Sequence, residues 1–244
     1  MRETGKVLVV GASGATGRLV VERLLGAGVE VSAVVRAADR LPESVRNHPG
    51  LSLKVGSLLE FPDTELQGLV EDCDAVISCL GHNLTFKGMF GSPRRLVTDA
   101  TRRLCEAVRC NASATPVRFI LMNSSGCKDP TVGEVQPWAE RCVIALIRAL
   151  VPPHRDNEEA AAFLREAIGT GDPFVEWVIL RPDSLIDAND LSPYELVRSP
   201  TRSPIFNSGK SSRINVADCM TRLAREEALW REWSGRSPVL YNRS

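Results

Sequence analysis

The sequence predicts a doubly wound α/β fold, a mostly parallel sheet with helices on both faces. Short apolar runs alternate with longer stretches whose apolar residues recur at helical spacing, which is the pattern of repeated strand–helix–strand units. Most of the short runs are unbroken Val, Ile and Leu, so cover on each face of the sheet is expected. Glycines at 11, 14 and 17 follow the first such run directly and open the first helical stretch.

The expected strands are Lys6–Val10, Glu30–Val35, Leu51–Val55, Ala75–Cys79, Arg118–Met122 and Glu176–Leu180, with Pro238–Tyr241 a weaker seventh. Between the first two, Leu19, Val20, Arg23 and Leu24 give Thr16–Leu25 one apolar face, and Gly26 and Gly28 end that helix. Pro93–Arg109 reads as a helix with proline near its first turn and Leu96, Val97, Ala100, Leu104, Ala107 and Val108 on one side. Trp138–Leu150 and Asn157–Ile168 read as two more, separated by the breaker Val151-Pro152-Pro153-His154. The first of these is either a buried element or a lid. From Asp183 onward periodicity is lost amid Asp, Ser, Pro and Asn, so the segment to Arg213 is expected to be an irregular cap over the carboxyl ends of the strands, where open α/β sheets bind ligands.

A chain of 244 residues can bury a substantial core, and one domain over 1–244 with a cap at about 183–213 is expected. Thirty basic residues balance thirty acidic ones, so no overall field draws the molecule to nucleic acid or to a membrane surface. Seven cysteines, with no C-x-x-C pair and no His/Cys cluster at metal spacing, read as reduced and mostly buried thiols, and no metal is expected. The N-terminus lacks the apolar core of a signal peptide and no stretch reaches membrane-span length, so the expectation is a cytoplasmic protein.

The glycine triplet carries the chemistry. In Gly11-Ala-Ser-Gly14-Ala15-Thr16-Gly17, the first glycine permits a tight turn, the middle one lets backbone approach a pyrophosphate, and the third lets helix pack closely on strand. The helix N-terminus then presents free N–H groups and a positive dipole end to phosphate oxygens, and Ser13 and Thr16 add hydroxyls. This is the Rossmann dinucleotide pattern. At the end of the second strand an Asp or Glu would accept from a ribose 2′-hydroxyl; here Arg36 stands, with Arg40 four residues on. A guanidinium holds a 2′-phosphate with paired hydrogen bonds, so the expected cofactor is NADP(H). The ordinary alternative is a solvated strand-end cation.

In this order of motifs the chain resembles the atypical short-chain dehydrogenase/reductases of the NmrA-like and biliverdin-IXβ-reductase-like kind. The resemblance rests on Val-Val-Gly-Ala-Ser-Gly-Ala-Thr-Gly at the start, Arg36, Ile77-Ser-Cys-Leu-Gly81, Met122-Asn-Ser-Ser-Gly126, Ile179-Leu-Arg-Pro182 and Arg213-Ile-Asn-Val-Ala-Asp218. It implies that Leu80 and Gly81 pass the cofactor ribose, that Ser124 and Ser125 border the nicotinamide, and that Arg181 and Pro182 lie near its carboxamide, with Ser184 and Leu185 beyond. Where such proteins usually show an Asp reaching the adenine, this chain has Ser57-Leu58.

A second departure is catalytic. Related reductases use Tyr-x-x-x-Lys to protonate the developing alkoxide. Here only Tyr194 and Tyr241 exist, neither followed by lysine at that spacing, and the resemblance puts Pro153 and Asn157 at the two positions. Three readings follow. The first is a reductase of a small flavin-, quinone- or tetrapyrrole-like substrate, with positioning supplying most of the rate and a solvent or serine proton following; Ser124, Ser125 and His82 are then the catalytic candidates. The second is a redox sensor that binds NADP(H) and signals to a protein partner. The third is an assembly factor. For Ser124 and Ser125 the ordinary role is to satisfy loop backbone groups, and for His82 it is to be solvated.

Asn83–Gly91 sets Phe86, Met89 and Phe90 in a glycine-punctuated loop, which reads as a pocket wall, a partner surface or part of the core. Arg94, Arg95, Arg102, Arg103 and Arg109 recur at near-helical spacing and read as a solvated stripe. Trp230 and Trp233 read as a packing face of a C-terminal helix.

Overall fold

The computed structural model describes residues 5–82, 91–133, 138, 143–146, 151–198 and 201–243. The elements, in chain order, are β1 (Lys6–Val10), α1 (Ala15–Gly26), β2 (Glu30–Val35), α2 (Glu43–Arg46), β3 (Leu51–Val55), α3 (Asp63–Val70), β4 (Ala75–Ser78), α4 (Leu96–Asn111), β5 (Val117–Met122), α5 (Pro152–Ala162), β6 (Val175–Pro182), β7 (Ser184–Ile186), β8 (Tyr194–Val197), β9 (Lys210–Ser212), α6 (Arg213–Arg225), α7 (Glu227–Trp233) and β10 (Val239–Asn242). The main sheet runs β3-β2-β1-β4-β5-β6-β10-β8, parallel throughout except that β8 is antiparallel to β10. Its first six strands have the dinucleotide-binding order, which reverses direction between β1 and β4.

All seven expected strands form. Residues on alternate sides of β1 enter two different cores: Val7 and Val9 pack with Val20, Val21 and Leu24 of α1 and with α6, while Leu8 and Val10 pack with Leu66 of α3 and Leu104 of α4. Burial of such side chains is worth about 1.5–3 kcal/mol each, and it holds the two helical layers against the sheet. The expectation of full cover fails at β3. That strand is the sheet edge, and Val55 remains 52% exposed.

Three further differences have local causes. Pro152 and Pro153, read as a breaker, instead begin α5 at its first two positions, where the missing N–H has no helical partner to lose. Beyond Ala162 the same helix widens into a π-helical turn, Phe163–Ile168, which a periodicity of 3.6 does not register. The 183–213 segment, read as irregular, contains three strands. β7 pairs in parallel with β9, and β8 extends the main sheet beside β10. These strands are three or four residues long and are tied by polar groups, with Asn215 Nδ2 donating to Ser192 Oγ and Asn242 Oδ1, so they leave no apolar pattern in the sequence. The expected helix Trp138–Leu150 lies mostly outside the described residues; residues 143–146 are helical.

The arginine stripe on α4 is only partly solvated. Arg103 donates to the carbonyls of Leu58, Leu59 and Phe61 and pairs with Asp63 at 2.6 Å, and Arg109 pairs with the buried Asp172. Trp230 and Trp233 are buried, as expected of a packing face. Cys73, Cys79, Cys105, Cys127 and Cys219 are buried thiols and Cys110 is exposed. Among the described residues no group of three or more potential ligands is placed to hold a metal, and no helix is long and apolar enough to cross a membrane.

Candidate cofactor and active site

The glycine loop sits in the crevice where the strand order reverses. Gly11 has φ +75°, and a methyl there would lie 2.6 Å from the carbonyl of Cys79 and 2.8 Å from the Leu80 nitrogen, so only glycine lets the β1 turn pass the end of β4. A methyl on Gly17 would lie 2.2 Å from the Gly11 carbonyl oxygen and 3.1 Å from the Ala12 Cα. Gly14 is different: it is exposed, and a methyl there would meet only the Gly11 oxygen at 3.2 Å. Two glycines thus serve protein–protein closeness, while the middle one keeps the mouth of the helix open. Gly14 caps α1 with no side-chain hydrogen bond, which leaves the first-turn N–H groups to a ligand. Ala15 is exposed beside it, Ser13 is half-buried and Thr16 is buried.

At the end of β2, Arg36 and Arg40 are both exposed, and neither makes a hydrogen bond or ion pair with the described residues. Ser57, just past β3, is half-buried, while Leu58 is buried with Leu66 and Val34 in the core, so at Leu58 only backbone is available to a base. Past β4, Leu80 is half-buried against the second core and Gly81 is exposed with open space at its Cα.

His82 is not the solvated loop residue that its ordinary reading expects. Its side chain is 4% exposed, and Nε2 lies 2.8 Å from Asp156 Oδ2. Asp156, on α5, also accepts from the backbone N–H groups of Val97 and Thr98, and so caps α4 from a different helix. Burial alone would raise the Asp156 carboxyl; hydrogen bonds from His82, Thr98 and Val97 outweigh it and hold the group below the usual carboxylate range.

The loop after β5 is pinned on three sides. Asn123 Nδ2 donates to the Asn157 carbonyl of α5, and Asn123 Oδ1 accepts from the Ser124 N–H. The Ser125 N–H donates to the Pro182 carbonyl, and its hydroxyl donates to Asp183 Oδ1 at 3.0 Å. Ser124 Oγ accepts from the Gly126 N–H, which leaves the hydroxyl hydrogen to donate elsewhere. Both serines therefore satisfy loop groups, and only Ser124 keeps a donor. Arg181 is 1% exposed, with its guanidinium donating to the carbonyls of Ser237 and Cys127, so it braces the floor of this loop. Pro182 is buried above it, followed by the exposed Ser184 and Leu185.

A family model described as NAD(P)H-binding matches residues 11–227. The chain belongs to the NAD(P)H-binding family. A putative NAD-dependent epimerase/dehydratase from Bacillus halodurans superposes with TM-score 0.69 at 19% identity, covering 98% of this chain and 95% of that one. A short-chain dehydrogenase/reductase from Veillonella parvula in complex with NADP superposes with TM-score 0.71 at 16% identity, covering 99% of this chain and 96% of that one. ChuY, an anaerobillin reductase from Escherichia coli O157:H7, superposes with TM-score 0.69 at 19% identity, covering 98% of each chain. An uncharacterized chloroplastic protein of Arabidopsis thaliana is 29% identical over 133 residues, 54% of this chain and 46% of that protein, so this chain spans about half the length of that relative.

Within this NAD(P)H-binding frame both tyrosine hydroxyls are committed to partners of their own. The Tyr194 hydroxyl donates to Asp218 and accepts from Arg222 on the α6 side, and burial pushes its phenol far up. Tyr241 accepts from the Arg202 N–H and is likewise raised by burial. Sequence reasoning missed His154. Taken as part of a breaker, it is in fact on the first turn of α5, one residue past the position that the resemblance gives to tyrosine. A methyl on Gly126 would lie 3.4 Å from His154 Cε1 and 3.5 Å from Ser124 Oγ, so imidazole and hydroxyl flank the same point. The apolar loop around Phe86, Met89 and Phe90 lies outside the described residues.

Proposed function

We propose that this protein is an NADP(H)-dependent reductase that transfers hydride to a small conjugated or carbonyl substrate without a Tyr-x-x-x-Lys pair. The observation that carries the cofactor choice is Arg36, exposed and unpaired among the described residues, at the end of the strand beside an open helix mouth. The residues fit the group: Gly11, Ser13, Gly14, Ala15, Thr16 and Gly17 take the pyrophosphate, and Arg36 and Arg40 take the 2′-phosphate. Ser57 and the Leu58 backbone lie on the adenine side, Leu80 and Gly81 on the ribose side, and Arg181 and Pro182 support the carboxamide end from below.

When bound, the cofactor supplies the hydride. Ser124 orients the acceptor with its remaining hydrogen, Ser125 locks the loop through Asp183, and His82 fixes α5 through Asp156. A flat conjugated acceptor suits a site whose described rim includes Leu185, 37% exposed, and in which rate comes chiefly from holding two partners in register.

Calorimetric titration with NADPH and NADH tests the reading. The wild type is expected to prefer NADPH, and Arg36→Glu to weaken NADPH by about 10- to 100-fold, the worth of a charge-assisted hydrogen-bond pair. NADPH oxidation with FMN, phenanthrenequinone and biliverdin then tests the chemistry. Equal affinity for both nucleotides would remove the cofactor assignment, and no turnover with any acceptor would remove the reductase.

A further inference from the structure

We infer that His154, with the Glu158 carboxylate beside it, is the proton donor that serves this site in place of the missing tyrosine and lysine. The inference rests on the reductase reading. Its basis is a juxtaposition that the fold creates between α5 and the loop after β5. The Asn157 carbonyl accepts from Asn123, which fixes the first turn of α5 against the loop. His154, three residues earlier, lies on the same face of that helix. The ring edge bearing Cε1 and Nδ1 faces the Gly126 Cα, at 3.4 and 3.8 Å from the point that a methyl there would occupy, and Ser124 Oγ lies 3.5 Å from that point. A methyl at 126 would touch ring and hydroxyl alike at van der Waals distance.

The other edge of the ring faces a carboxylate. Nε2 is buried, makes no hydrogen bond and lies 3.4 Å from Glu158 Oε1, one helical turn along. The His154 side chain is 12% exposed and that of Glu158 20%, so a carboxylate backs the imidazole in a largely enclosed place. A carboxylate beside one nitrogen leaves the other, on the Ser124 side, to serve a reacting atom. His82 is not equivalent, because its imidazole is tied to Asp156, a carboxylate that also caps α4.

The step balances as follows. The hydride adds to the electrophilic carbon of the acceptor, the π pair moves to the adjoining oxygen, nitrogen or carbon, and that atom takes the proton from His154 Nδ1. A solvent proton then restores the imidazole. Ser124 donates a hydrogen bond to the same atom and keeps it aligned. His154 is thus a catalytic residue, and Glu158 a positioning residue.

The test combines a ligand contact with turnover. The chain has three histidines, so imidazole nitrogen resonances can be assigned by comparing wild type with His154→Gln. NADP+ is expected to shift the His154 resonances, whereas 2′-phospho-ADP-ribose, which lacks the nicotinamide, leaves them in place while binding. With phenanthrenequinone, His154→Gln is expected to lower kcat about 100-fold and Glu158→Gln about 10-fold, each at unchanged NADPH affinity and with a larger solvent isotope effect, within the usual range for a general acid. Equal shifts by both nucleotides, or an unchanged kcat in His154→Gln, would overturn the assignment. So would a nicotinamide-dependent shift in a protein that turns over no acceptor, which would leave His154 a contact only. Absence of any NADPH binding by the wild type would show instead that the underlying reading had failed.

Discussion

The carboxylate of Asp156 holds the His82 imidazole at 2.8 Å while its two oxygens cap α4, a helix to which it does not belong. One buried group therefore joins the ends of β4, α4 and α5. Replacing it with alanine removes a cap from α4, leaves two N–H groups without that acceptor and takes a carboxylate from His82, so Asp156→Ala is expected to cost about 2–4 kcal/mol, read as a lower urea midpoint.

The same carboxyl has a pH signature. Its folded pKa is depressed, as is that of Asp172, where burial is outweighed by Arg109 and by the N–H groups of Phe174 and Val175. A depressed carboxyl gives stability that is present above its unfolded pKa, about 3.9, and is lost as pH falls through the lower folded value. Unfolding free energy is therefore expected to drop below about pH 4. Asp156→Asn should flatten that drop, and an unchanged acid limb would refute the assignment.

Gly14 and Gly17 should part company under the same substitution. Gly17→Ala drives a methyl into the Gly11 backbone and is expected to lose about 1–3 kcal/mol of stability. Gly14→Ala meets only the Gly11 oxygen, at 3.2 Å, so its unfolding midpoint should fall far less than that of Gly17→Ala while NADPH affinity falls. Calorimetry and denaturation on both variants separate the two roles.

Arg181 tests whether a buried strut or a ligand contact occupies the end of β6. Arg181→Met leaves the Ser237 and Cys127 carbonyls without their donor, at a cost of about 1–3 kcal/mol each. Stability should fall while the folded fraction binds NADPH as the wild type does. The reverse pattern would restore a direct contact.

Thiol chemistry gives a fifth check. Burial pushes Cys73 up to about 11 and Cys79 up to about 12, which suppresses the thiolate at neutral pH, whereas Cys110 is exposed at the end of α4. Among the described cysteines, Cys110 should be the one alkylated rapidly in the native state. Mass mapping of the native protein after brief iodoacetamide treatment reads this directly, and early labelling of Cys79 would contradict it.

Local spacing determined much of this protein. Unbroken Val/Ile/Leu runs marked the parallel strands because strands covered on both faces have no polar side, and of the three motif glycines, 11 and 17 are required because backbone crowding there admits nothing larger, while 14 is exposed. Arg36 was legible as a cation just past the second strand, where the structure has it exposed. Tertiary structure alone decided the rest. The short cap strands depend on partners far along the chain and on side-chain polar bonds, which leave no periodic trace. His82 and Asp156 are 74 residues apart in sequence, so neither announced the other. His154 read as part of a breaker because proline punctuates locally, and only the docking of α5 on the β5 loop, fixed by Asn123, turns its ring toward Ser124. Spacing along a chain fixes which faces are buried; which side chains then meet is set by how the buried faces pack.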